Sequence, residues 1–283
     1  MAYIVTPEWV QMQIRNEEEM VIIDVRFNLS DPKFGYQAYV QNHIPNAYYL
    51  HIDYDLSSPP QEHGGNHPLP DIDKLANKLG KMGIDHDTTV IIYDGANEMY
   101  APRAWWQFHY MGHNKVYVMD GGFQAWIRLG YEVTDDIPKR NEKIFEPRIL
   151  EEAVVHMEEV RDRDQKKSVL IDSRAYSRYV GKTEPLYKKA GHIPGAKNYF
   201  WQDVLDEEGN WKTADVLKEQ FEKMDNDGVE EIIVSCGSGI SACPNILALK
   251  MAGFENVKLY PGSFSDWISY VNNPLETTDE TSD

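Results

Sequence analysis

The chain has 283 residues, 42% of them hydrophobic, which suits two packed domains and argues against wholesale disorder. A net charge of -18 argues against non-specific binding to nucleic acid or to anionic membranes. Two cysteines do not make a disulfide scaffold, no apolar run approaches the ~18 residues of a membrane span, and the acidic N-terminus matches neither a secretory signal nor a transit peptide, so a cytoplasmic protein is expected.

Short apolar runs alternate with helical patterns along the chain. VIIDV (21–25) reads as a buried strand, DIDKLANKLGKMG (71–83) as a helix and VIIYD (90–94) as a strand. APRAWWQFHYMG (101–112) reads as a helix and VYVMD (116–120) as a strand. A polar stretch with two prolines, 134–152, then marks a boundary. Beyond it VLIDS (169–173), EIIVSC (231–236) and VKLYPG (257–262) read as strands, and CPNILALKMAGF (243–254) as a helix. The alternation predicts an α/β fold of largely parallel sheets flanked by helices. The acidic tail, 272–283, is expected to fray.

Four landmarks occur twice in the same order. VIIDVR and VLIDSR, then NHIPNA and GHIPGA, recur at offsets of 148 and 149. VIIYDG and IIVSCG, then GGFQAWI and GSFSDWI, recur at 142 and 141. A period of that length indicates a duplicated domain and not a solenoid. The expected division is a first domain over 1–134, a linker over 135–152 and a second domain over 153–283.

Both cysteines lie in VSCGSGISACP (234–244). A strand ending at Cys236 delivers that side chain to the carboxyl edge of a parallel sheet, where open α/β sheets place their ligand sites. The small residues that follow let the backbone wrap the sulfur with its amides pointing inward, which favours a thiolate. The other reading is a buried structural cysteine in a strand-to-helix turn. The repeat speaks against it, because the first copy carries Asp94 at this position, so the fold itself does not require cysteine. Cys243 reads as structural; a Cys236–Cys243 disulfide is the alternative, without CxxC spacing.

These motifs resemble the two-domain rhodanese family of sulfurtransferases, most closely the 3-mercaptopyruvate sulfurtransferases. The resemblance is carried by the loop Cys236-Gly237-Ser238-Gly239-Ile240-Ser241-Ala242, by HIPGA (192–196), by YAPRAWW (100–106) and by PGSFSDW (261–267). It implies that Cys236 attacks the sulfur of a small anionic donor, carries it as a persulfide and passes it to a thiol, cyanide or a thioredoxin-like acceptor. No metal or organic cofactor is called for. Gly237, Gly239, Ile240, Ser241 and Ala242 would form the sulfur cradle, and Arg178 would pair the donor carboxylate. Lys188 would stand where the family has a second arginine. Ser238, His67 and Asp53 would assist proton transfer, with Asp55 and His63 as rivals in a longer than usual segment. Tyr100, from the first domain's counterpart loop, would be a further substrate contact.

Three other classes remain to be weighed. A cysteine phosphatase needs C-x5-R, and the residue six positions after Cys236 is Ala242. A non-catalytic sulfur-carrier module would suit the first half alone. A thiosulfate sulfurtransferase is the nearest rival; the relatives that prefer thiosulfate typically carry basic residues after the cysteine, where this chain has Gly237 and Ser238.

Overall fold

A strand must be apolar on both sides where helices cover both faces of a parallel sheet. In the computed structural model, which describes residues 3–224 and 228–278, every residue of Met20–Asp24 and of Ser168–Asp172 is buried. The pairings among the named strands are all parallel.

The chain forms two compact units. The described residues of 1–58, 69–150 and 205–211 make the first. Its elements are β1 (Ile4–Val5), α1 (Pro7–Arg15), β2 (Met20–Asp24), α2 (Phe34–Gln41), β3 (Ala47–Tyr49), α3 (Ile72–Lys81), β4 (Thr89–Tyr93), α4 (Tyr100–Tyr110), β5 (Val116–Met119) and α5 (Gly122–Arg128). The sheet order is β1-β5-β4-β2-β3. Local chemistry sets the helix starts. Thr6 accepts the Trp9 amide at 3.2 Å ahead of Pro7, and Asp71 accepts the Lys74 amide at 3.0 Å.

The second unit holds 59–68, 151–204 and the described residues of 212–283. It contains α6 (Met157–Asp162), β6 (Ser168–Asp172), α7 (Tyr176–Tyr179), β7 (Ala196–Asn198), α8 (Ala214–Glu222), β8 (Glu231–Ser235), α9 (Cys243–Met251), β9 (Val257–Leu259) and α10 (Ser263–Trp267), with sheet order β7-β6-β8-β9. Each unit has its own core, around Ile22, Ile91 and Trp126 in one and Leu170, Ile233 and Trp267 in the other.

The duplication extends to individual bonds. Arg26 pairs with Asp24 at 2.7 Å and Arg174 with Asp172 at 2.6 Å. Each guanidinium also lies 3.9 Å from a ring centroid, of Phe123 and of Phe264.

Several features differ from the sequence expectation. β3 and β7, three residues each, are too short for a periodicity signal. The stretch expected as a linker runs along the first unit as far as Leu150, whose amide donates to Tyr110 O at 2.9 Å. Residues 59–68 join the second unit and 205–211 the first, although each lies inside the other's span of sequence. Of the tail, Glu276 is tied to His192 by two backbone bonds of 2.8 and 3.0 Å and does not fray, while 279–283 lie outside the described residues.

Candidate active site

β8 is a central strand of the second sheet, so the residue after it emerges at the carboxyl edge between two neighbours. That residue is Cys236, 1% exposed. The Gly239 amide points at its sulfur, N to Sγ 3.1 Å. The Cys236 amide donates to Ser263 Oγ at 3.0 Å, and its carbonyl accepts the Phe264 amide at 3.0 Å. Gly239 is required where it stands: its φ is +83°, and a Cβ there would lie 2.4 Å from the Pro261 carbonyl oxygen. Ile240 and Ala242 are buried behind the loop and Ser241 is half-buried. Cys243 opens α9 and donates from its thiol to Gly239 O at 3.4 Å. Neither cysteine is in a disulfide.

Of the side chains expected to assist proton transfer, Ser238 and His67 meet within the second unit. Ser238 Oγ lies 2.7 Å from His67 Nδ1. The rival His63 is turned elsewhere, onto Ser269 Oγ at 2.7 Å. Asp53 and Tyr100 belong to the first unit. There the Asp53 amide donates to His51 Nδ1 at 3.1 Å, and Tyr100 is buried at the start of α4 with its ring edge-on to Phe27. Asp55, the rival of Asp53, accepts the His51 amide and pairs with Lys78 at 2.6 Å.

Arg178 is already engaged. Its Nε and Nη2 donate to the two oxygens of Glu184 at 3.1 and 2.8 Å, so the side-on edge of the fork expected for a donor carboxylate is taken and the Nη1 end is what a ligand would meet. Glu184 also accepts from Arg174 Nη1 at 3.2 Å. Arg174, paired with Asp172, does more than hold that ion pair. Burial disfavours its charge, but Asp172, Glu184 and the neighbouring Cys236 outweigh this and raise its pKa. A fixed positive charge thus stands near the sulfur.

Lys188 is exposed. The side chain of this stretch that turns to the loop is its neighbour Tyr187, which sequence reasoning missed. A Cβ on Gly237 would lie 2.8 Å from the Tyr187 hydroxyl, so the phenol faces the loop. Burial, and then Cys236, raise the pKa of this hydroxyl against the pull of Arg178, whose guanidinium lies 5.4 Å from the Tyr187 ring centroid. Its only sequence signal is an aromatic residue in a basic, proline-bearing loop.

The first unit supplies an internal comparison. Its equivalent loop wraps a carboxylate: Asp94 accepts the amides of Glu98 at 3.1 Å and Ala101 at 3.0 Å. Burial raises the Asp94 pKa against those amides. Both loops are therefore amide cradles, one filled by its own carboxylate and one holding a sulfur.

The α/β domain is built twice, with a buried thiol held in an amide loop of one copy only. Among the described residues no group of three or more His, Cys, Asp or Glu is placed to hold a metal, and no helix is long and apolar enough to cross a membrane. The rhodanese-like domain model matches residues 6–129 and 156–270. A probable 3-mercaptopyruvate sulfurtransferase of Pseudomonas aeruginosa is 35% identical over 93% of this chain and 94% of its own length. A thiosulfate sulfurtransferase of Bos taurus is 30% identical over 97% and 94%. The crystal structure of SseA from Escherichia coli, described as a 3-mercaptopyruvate sulfotransferase, gives a TM-score of 0.78 at 31% identity, over 94% of this chain and 100% of that one. The chain belongs to the rhodanese family, and its reaction class is sulfur transfer.

Proposed function

We propose that the protein moves sulfur from 3-mercaptopyruvate through a persulfide on Cys236 to a thiol, cyanide or thioredoxin-like acceptor. The observation that carries this reading is the Gly239 amide on Cys236 Sγ at 3.1 Å beside the Ser238–His67 pair at 2.7 Å. The thiolate attacks the donor's thiol sulfur, a new S–S bond forms and the donor's C–S bond breaks. The electron pair of that bond passes to the donor carbon as the enolate of pyruvate. The donor's thiol proton moves through Ser238 and His67 to that carbon, leaving pyruvate and an anionic persulfide. The loop amides and Arg174 favour negative charge at the sulfur before and after transfer. Attack of the acceptor on the outer sulfur then regenerates the thiolate.

Arg178, through its Nη1 end, pairs the donor carboxylate in this reading, with Gly237, Ile240, Ser241 and Ala242 shaping the cradle. Lys188 adds positive charge at the rim, and Asp53 and Tyr100 are further candidates from the first unit. Two cysteines outside any disulfide suit the reducing cytoplasm, which we take as the protein's location. Thiosulfate is the second donor reading, favoured by the relatives of that name; the uncharged Gly237 and Ser238 favour the monocarboxylate donor. The test is kcat/KM for each donor, with cyanide and with thioredoxin as acceptor. Mercaptopyruvate is expected to be preferred, and a higher value for thiosulfate would overturn the assignment.

A further inference from the structure

The turn at 262–266 grips the nucleophile loop. Ser263 Oγ accepts the Cys236 amide, and the Phe264 and Ser265 amides donate to Cys236 O at 3.0 Å and Gly237 O at 2.9 Å. The same turn and the residues just after it also grip 63–67, which lie 199 to 206 positions earlier in the chain. The Gly64 amide donates to Asp266 Oδ1 at 2.7 Å, and the Asn66 amide to Ser265 Oγ at 3.1 Å. His63 meets Ser269 and stacks on Tyr270, centroids 4.1 Å apart. Gly65 passes between with φ +82°, and a Cβ there would lie 2.4 Å from Gly262 O. Asp266 is 5% exposed, and its other oxygen accepts the Tyr260 hydroxyl at 2.6 Å, so the carboxylate is held from both sides. Two residues past Gly65, His67 reaches Ser238.

The internal repeat acts as a control. The first unit has Gly122, Gln124 and Ala125 where the second has Ser263, Ser265 and Asp266, between the shared Gly121/Gly262, Phe123/Phe264 and Trp126/Trp267. The backbone bonds are the same in both, Phe123 N to Asp94 O at 2.8 Å and Gln124 N to Gly95 O at 2.9 Å. What differs is the set of side chains that hold the Cys236 amide and the strand of chain leading to His67. Ser263 even keeps the φ of +54° that Gly122 has, a left-handed conformation that side chains adopt only against strain.

We propose that Asp266 and Ser265 are positioning residues for sulfur transfer, latching 63–67 to the turn that carries the Cys236 loop and so setting His67 on Ser238. This rests on the role given to His67 under the proposed function.

A double-mutant cycle tests it. Asp266→Ala, His67→Ala and the double variant are compared by kcat and KM with mercaptopyruvate and cyanide, together with thermal unfolding. Asp266→Ala is expected to lower kcat about tenfold or more, a part of the 10²–10⁴-fold that a placed proton-transfer group supplies, with KM changed less than about twofold. In the His67→Ala background the same change is expected to add less than about twofold. Wild-type kcat in Asp266→Ala overturns the latch, and so does an equal loss in both backgrounds, which marks a carboxylate that is only structural. Should Asp266→Ala fail to fold, Ser265→Ala, which removes the acceptor of the Asn66 amide and the hydroxyl's own bond to Gly262 O at 3.0 Å, goes through the same cycle under the same criteria. His67→Ala with full activity, in a protein whose wild type turns over mercaptopyruvate, instead sinks the reading of His67. His67→Ala impaired beside an intact Asp266→Ala sinks the latch alone.

Discussion

Gly239→Ala should damage stability and chemistry together, and the structure says by how much. The residue sits at φ +83°, where a side chain costs about 1–2 kcal/mol. Its Cβ would also lie 2.4 Å from Pro261 O and 3.1 Å from Pro261 C, backbone atoms that no rotamer change can move aside. The loop must therefore shift, and the first contact it loses is the Gly239 amide on Cys236 Sγ. A hydrogen bond to a charged acceptor is worth about 1.5–3 kcal/mol, which corresponds to roughly tenfold to a hundredfold in rate. We expect Gly239→Ala to lose about 2 kcal/mol of stability or more and to form the persulfide at least about tenfold more slowly. Gly253 is the control: its φ is +91°, but no atom lies within 4 Å of an added Cβ. Gly253→Ala should cost about 1–2 kcal/mol of stability and leave the rate unchanged. Persulfide formation is read by rapid mixing with donor and intact-protein mass spectrometry, and stability by urea unfolding. Gly239→Ala with the wild-type rate, or Gly253→Ala slowed to the same degree, would refute the cradle.

Other outcomes follow from the same geometry. Cys236→Ser should abolish sulfur transfer and the added-sulfur mass, whereas Cys243→Ser, at the start of α9 with a thiol that donates weakly to Gly239 O, should keep most activity; equal losses at equal stability would contradict this. Arg178→Ala should lower kcat/KM for mercaptopyruvate by at least about tenfold with the fold intact, and no change in steady-state kinetics would remove it from the donor site. Tyr187→Phe keeps the ring on Phe264 and Arg178 but removes the hydroxyl that faces Gly237 of the loop, so kcat should fall several-fold while Tm holds; an unchanged kcat makes Tyr187 mere packing. Burial, then the charge of Asp94, raise Glu98 to a pKa of about 7. The folded protein thus holds that proton more tightly than the unfolded chain, and this contribution to stability is present in acid and lost as pH rises through about 7. Glu98→Gln should therefore lose less Tm than the wild type between about pH 5 and pH 8; parallel profiles would show that Glu98 does not titrate there.

The sequence by itself determined what is local or repeated. Strand–helix alternation specified the parallel α/β class, and four landmarks specified the duplication. The run of small residues after Cys236 specified a tight amide loop, because backbone conformation there depends on neighbours within a few positions. Even the Arg26–Asp24 and Arg174–Asp172 pairs are two residues apart. Only the tertiary structure tells His67 and His63 apart, since both lie in one polar segment and what separates them is contact with Ser238 or with Ser269. Likewise Tyr187 facing Gly237 and residues 59–68 joining the second unit rest on where distant chain ends up. Such contacts come from packing between segments far apart in the chain, and packing leaves no periodicity or spacing in either segment alone.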